Sequence, residues 1–213
     1  MTNYPVLDAL LANNVQWSTG VDNSDPDFFA QSAKGQSPKV LWIGCADSRV
    51  PASVITASKP GDIFVHRNIA NQFHLDDDSA LSVLSYAVEH LGVEHVIVVG
   101  HSNCGGAAGA YDAACANPDG SATSPTTPTT PLERWLTPLT SLVRDLGLTT
   151  VPRDKALPLL ITESVIRQVA NICATNVIKN AWAEGKNVSV HGWLYELEDG
   201  RLQDLEVSTV PGL

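Results

Sequence analysis

The sequence contains no uninterrupted apolar run of the ~18 or more residues that a membrane-spanning helix needs. Its first residues, MTNYPVLDAL, lack the basic stretch and apolar core of a secretory signal, and they are not Arg- and Ser-rich as a transit peptide is. A cytoplasmic location is therefore expected. Basic residues are scarce: 13 Lys and Arg face 23 Asp and Glu, giving a formal charge of -10. That balance argues against a nucleic-acid or anionic-membrane partner, either of which needs a basic patch. A single local arginine can still hold a small anion. There are four cysteines, Cys45, Cys104, Cys115 and Cys173. In a reducing compartment, and in a 213-residue chain that is 44% hydrophobic, they point to metal binding or plain burial rather than disulfides.

What is present reads as one α/β domain over residues 1–213, with a mostly parallel central sheet flanked by helices. Apolar positions 6, 7, 10 and 11 predict a short amphipathic helix over 4–15, with Pro5 in its first turn. Residues 16–38 are polar and turn-rich, with a brief helical contact at Phe28–Ala30. The whole 4–38 stretch reads as an N-terminal helical arm that packs on a neighbouring subunit. The continuous apolar runs 39–45 (KVLWIGC) and 95–100 (HVIVVG) are buried strands, and Ile63–His66 is a shorter one. Helices are expected over 79–91, stopped by Gly92, over 105–115 and over 132–146. One long helix follows Pro152 and ends at a Gly185 cap. Residues 187–195 predict an edge or mixed-sheet strand, and 197–207 a final turn and strand bent at Asp199-Gly200. The segment 117–131, with SATSPTTPTTP at its centre, is too poor in apolar residues to order itself and reads as a flexible surface insertion.

Two polar stretches stand at the ends of the buried strands: Cys45-Ala-Asp47-Ser-Arg49 and His101-Ser-Asn-Cys104. Strand ends are where α/β sheets place their ligands. Two thiolates and an imidazole suit zinc, and a Cys₂His set with an open position is a catalytic arrangement. Cys104 follows His101 by three residues, so both can reach one ion from the start of a helix. Glycines 105 and 106 permit close backbone approach there. Taken singly, either stretch is better read as buried cysteine and a satisfied loop histidine. Asp47 has three readings: a fourth ligand, an acceptor from bound water, or the carboxylate partner of Arg49. Cys115 and Cys173 have no ligand spacing around them.

Together with His66-Arg67-Asn68-Ile-Ala70-Asn71 and Gly100-His101-Ser-Asn-Cys104-Gly105-Gly106, the first of these stretches resembles the signatures of the β-class carbonic anhydrases. The similarity extends through Tyr86-Ala-Val and Asn187-Val-Ser-Val-His191-Gly-Trp193, over nearly the whole chain except the Ser/Thr/Pro insertion. The resemblance implies Zn2+ held by Cys45, His101 and Cys104. It implies an Asp47 that either closes the site as a conditional fourth ligand or pairs with Arg49 and leaves it open. Gln36, Phe64 and Tyr86 match positions lining the substrate pocket, and Gly105 the position whose N–H faces the product. Trp42, Gly44 and Arg67, with Val50 nearby, match a non-catalytic bicarbonate pocket found in a subgroup. The implied reaction is reversible hydration of carbon dioxide to bicarbonate by zinc-bound hydroxide, in a homodimer or dimer of dimers. None of His66, His74, His90 or His95 stands out as a proton shuttle. A zinc hydrolase of carbon disulfide or carbonyl sulfide, or a structural zinc module in an interaction protein, are the competing readings.

Overall fold

The structure, a computed structural model, describes residues 3–118, 120 and 128–212. It divides into two compact units at Ser37/Pro38.

The first unit contains two helices, α1 (Pro5–Ser24) and α2 (Phe28–Ser32). Helix α1 extends nine residues beyond the expected end at Val15, because residues 16–24 contain no proline and a single glycine. It stops at Asp25, which is held extended by the proline that follows it. Trp17 and Phe28 both meet Phe29 edge-on, with centroids 5.7 and 5.3 Å apart. No residue of α1 is buried; Val6, Leu7, Leu10, Leu11 and Val15 are all exposed. A long helix with an uncovered apolar stripe is consistent with packing against another subunit.

The second unit is a five-stranded sheet. Its strands are β1 (Val40–Cys45), β2 (Ile63–Asn68), β3 (His95–His101), β4 (Ser189–Glu196) and β5 (Arg201–Asp204), in the order β2-β1-β3-β4-β5. The first four strands are parallel, and β5 closes the edge antiparallel to β4. Strand β4 is therefore interior to a mixed sheet, the second of the two readings of residues 187–195.

Alternation along β1 and β3 divides the core. Leu41, Ile43, Val96 and Val98 face a cluster built with α4 (Asp78–Ser85), α7 (Arg153–Ala174) and α8 (Asn176–Ala183). Trp42, Ile97 and Val99 face the other way, onto the short helix α3 (Ala52–Ile55). A second cluster joins the strand ends to α5 (Gly105–Ala116) and α6 (Pro131–Asp145). Gly100 is required by the close approach of α7, since a Cβ there would lie 2.7 Å from a methyl of Val165.

Two expected helices are interrupted. The 79–91 helix is regular only to Ser85 and then widens into a π-helical turn over Tyr86–Leu91, closed by a left-handed Gly92. The helix expected to reach Gly185 breaks at Thr175. The Thr175 hydroxyl donates to the Ile172 carbonyl at 2.7 Å and accepts from the Ile178 N–H at 3.3 Å. It thereby caps α8 as a separate helix. Helix α6 begins with a capping box between Thr130 and Glu133. Of the expected 117–131 insertion, residues 119 and 121–127 lie outside the described residues. No helix among the described residues is long and apolar enough to cross a membrane.

Candidate metal centre

Parallel pairing of β1 with β3 brings two carboxyl-terminal strand ends side by side, one ending in Cys45 and the other in His101. The chain then turns through Ser102 and a left-handed Asn103 (φ 55°) to Cys104, the residue that precedes α5. This tight turn returns Cys104 towards His101. The result is a group of three buried residues, Cys45, His101 and Cys104, whose donor atoms all lie within 4.8 Å of one another.

The imidazole is oriented for ligation. Its Nδ1 lies 2.9 Å from the Ser102 carbonyl, which can only accept, so Nδ1 carries the proton. Nε2 is left with a lone pair, buried and without a hydrogen-bond partner. An unpartnered buried nitrogen is costly unless something completes it. Beside two thiols, the group that fits is a soft or borderline cation, and the donor set suits zinc.

The sulfurs are electrostatically divided. The Cys45 thiol is drawn well below the ordinary thiol range, chiefly by its hydrogen bond with Cys104, against the effect of burial. Cys104 is driven upward by the same shared bond and by burial. One proton thus leaves easily and the second is opposed by the charge left behind, an opposition that a bound dication removes. His101 is disfavoured as a cation by burial, but the neighbouring Cys45 sulfur outweighs this and raises it.

Asp47 is not one of the converging groups. Its Oδ1 accepts from Arg49 N–H and Nε–H, both at 2.9 Å, and its Oδ2 accepts from Arg49 Nη2 at 2.6 Å. This bidentate pair holds the carboxyl well below the usual carboxylate range. Oδ2 also faces His101 Nε2 at 3.9 Å. Arg49 further reaches the Asn103 carbonyl at 3.3 Å, tying the loop after β1 to the loop after β3.

Arg67 acts on main chain. Its Nε donates to the Cys45 carbonyl at 2.7 Å and its Nη2 to the Asp47 carbonyl. Its place opposite Gly44 in the β1–β2 register is what sends it to these carbonyls. The Trp42 indole lies over Gly44, where a Cβ would come within 2.5 Å of the ring nitrogen. Trp42 and Val50 line a narrow cleft that reaches Cys45 and His101, while Gly44 and Arg67 are not in its wall.

Phe64 and Tyr86 form their own ring pair at 5.9 Å, and Tyr86 also meets His90 at 5.4 Å. Tyr86 opens the π-helical turn, a feature that recurs at functional sites, and is 47% exposed. Gly105 is the exposed first residue of α5. Of the two glycines, it is Gly106 that needs the close approach: a Cβ there would lie 2.9 Å from the Ala70 and Ile69 side chains. Gln36 is exposed in the N-terminal unit. Cys115 and Cys173 are free and half-buried, outside the cluster.

The residues that gave no sign of themselves in the sequence are Gln72, Ser164 and Gln168, all buried. The one available cue was in α7, where Ser164 and Gln168 interrupt the apolar stripe of Ile161, Val165, Val169 and Ile172.

A family model described as carbonic anhydrase matches residues 40–202. A carbonic anhydrase of Emericella nidulans is 37% identical over 209 residues, covering 97% of this chain and 86% of the relative. Among solved structures, one of two tetrameric β-carbonic anhydrases from Sordaria macrospora superimposes with a TM-score of 0.85 at 32% identity. It covers 97% of this chain and 100% of its own. The β-carbonic anhydrase CafA of Aspergillus fumigatus gives 0.83 at 34% identity, covering 94% and 91% of the two chains.

Proposed function

Because the chain belongs to the β-carbonic anhydrase family, we propose that it is a zinc-dependent carbonic anhydrase, interconverting carbon dioxide and bicarbonate. The observation that carries this reading is the buried, unpartnered Nε2 of His101 converging with the thiols of Cys45 and Cys104. These three residues would hold zinc. The ion supplies Lewis acidity, which makes water nucleophilic near neutral pH.

The chain's own groups do the rest. Asp47, kept ionised by Arg49, can only accept. Its Oδ2 faces the ligand cluster, so it would accept a hydrogen bond from the reacting oxygen and leave that oxygen's lone pair aimed at carbon dioxide. Pairing with Arg49 rather than converging with the sulfurs supports the open arrangement; Asp47 as a conditional fourth ligand belongs to a closed one. Phe64 and Tyr86 would provide an apolar wall for a nonpolar gas, Gln36 a donor to the developing carboxylate, and Gly105 an N–H towards the product. Trp42, Gly44 and Arg67, with Val50 nearby, would form a second, non-catalytic bicarbonate pocket.

The same reading makes residues 1–213 a single domain with a helical arm, assembled as a homodimer or dimer of dimers in the cytoplasm. The exposed stripe of α1 supports the assembly, and four free cysteines support a reducing compartment. Metal analysis together with stopped-flow carbon dioxide hydration tests the proposal. Wild type should bind zinc and turn over, and Cys45→Ser should lose both. Full activity without metal, or turnover of carbon disulfide or carbonyl sulfide but not carbon dioxide, would refute it.

A further inference from the structure

Behind the metal centre lies a turn whose backbone is unusual for its residues. Ala70 and Asn71 both take left-handed φ values, 61° and 47°, in succession, and both are buried. L-residues other than glycine resist this conformation, and they hold it only where their surroundings over-determine it. The turn touches both halves of the centre. Ala70 packs in one buried cluster with Cys45 and Cys104, and its side chain lies where Gly106 leaves space at the start of α5.

The restraint comes from a buried amide network that the catalytic reading does not use. Asn68 bridges the turn, its Oδ1 accepting from Gln72 N–H at 2.8 Å and its Nδ2 donating to the Gln72 carbonyl at 2.7 Å. Gln72 Nε2 donates to the Ala70 carbonyl at 2.7 Å and to Ser164 Oγ of α7 at 3.0 Å. Gln168, one turn further along α7, accepts from Phe73 N–H at 2.9 Å through Oε1 and reaches Gln72 Oε1 at 3.5 Å. Gln72, Ser164 and Gln168 are 1, 4 and 3% exposed. Amides this deeply buried are retained only with their partners made, so the network fixes one geometry rather than a range.

We propose that Gln72, anchored by Ser164 and Gln168 of α7, is a positioning residue for the metal centre. It holds the left-handed Ala70–Asn71 turn against Cys45 and α5, and so sets the separation of the two sulfurs. This inference rests on the zinc reading above. It assigns helix α7, which supplies no ligand, a direct part in metal affinity.

The test uses the full-length chain with Gln72→Leu, Ser164→Ala and the double variant Gln72→Leu/Ala70→Gly. Zinc dissociation constants come from competition with a colorimetric chelator. Replacement with cobalt reports sulfur geometry through the thiolate-to-cobalt charge-transfer band. Gln72→Leu should weaken zinc binding by about 10–100-fold, the range for partners that orient metal ligands, and shift the cobalt band. Ser164→Ala should do the same to a smaller degree, and it carries the test should Gln72→Leu fail to fold. Adding Ala70→Gly should recover part of the affinity, because glycine accepts the left-handed turn without restraint. A matched core truncation, Ile178→Val in α8, should lower the melting temperature and leave zinc affinity unchanged. Zinc affinity and cobalt spectra equal to wild type in every foldable variant, with only stability reduced, would overturn the inference. A wild-type chain that takes up no zinc would instead overturn the zinc reading beneath it.

Discussion

The metal corner and the expected substrate wall are built in different ways. Cys45, His101 and Cys104 are buried and converge within one unit. They are placed by strand register and a three-residue turn; Arg67 holds the Cys45 carbonyl, and Arg49 ties the loop after β1 to the loop after β3. Phe64 and Tyr86 meet each other on a surface where Tyr86 is half exposed, and Gln36 belongs to the other unit. A centre built on adjacent parallel strand ends is complete in one chain, because register fixes it. A ring pair with one member half exposed is complete only when something covers it.

Substitutions should separate the two regions. The largest effect is expected from His101→Ala, which removes one of the three proposed ligands. It should cost more zinc affinity than the ~10–100-fold carried by orienting partners, abolishing turnover, as measured by metal content and stopped-flow hydration. Arg49→Ala comes next. It frees Asp47 without touching a sulfur, so zinc content should stay near wild type while kcat falls by ~100-fold, the scale of a misplaced reacting group. Equal losses of zinc and turnover in that variant would erase the distinction between holding the metal and aiming the water. Tyr86→Ala should act on the other region alone, with a change of about 10-fold or less in kcat/KM and unaltered metal content; loss of zinc there would join the two regions.

The smallest effect concerns the outer support of the corner. Trp135 stacks on His74 at 4.2 Å and donates from Nε1 to the Ile69 carbonyl at 2.9 Å. Burial, against the charges of Asp76 and Asp77, holds His74 below its ordinary 6.5. A base depressed in the folded state is protonated first in the unfolded chain, so its contribution is full above pH 6.5. Stability is lost as pH falls from there through the folded value. The melting temperature of wild type should decline over that window more steeply than that of His74→Gln; parallel curves would remove His74 from the support.

Most of the ligand set was legible because its signals are local. Apolar runs ending in Cys45 and His101, and the three-residue step to Cys104, describe a strand end and a turn without knowledge of the rest of the chain. The length of α1 and the break at Thr175 were not, since each depends on a cap or a stop that competes with continuous helical periodicity. The carbonyl contacts of Arg67 were not legible, because they follow from its register opposite Gly44. The network of Gln72, Ser164 and Gln168 was invisible for a further reason. Buried amides have no period, and their partners are about 90 residues apart in sequence.

On the proposed reading, two thiolates and one imidazole of this chain hold zinc and leave a position for water. Zinc K-edge X-ray absorption of the purified protein near neutral pH measures this directly. The account predicts a shell of two sulfurs, one imidazole nitrogen and one oxygen that exchanges with solvent. A shell without sulfur, or one whose oxygen belongs permanently to Asp47, would contradict it.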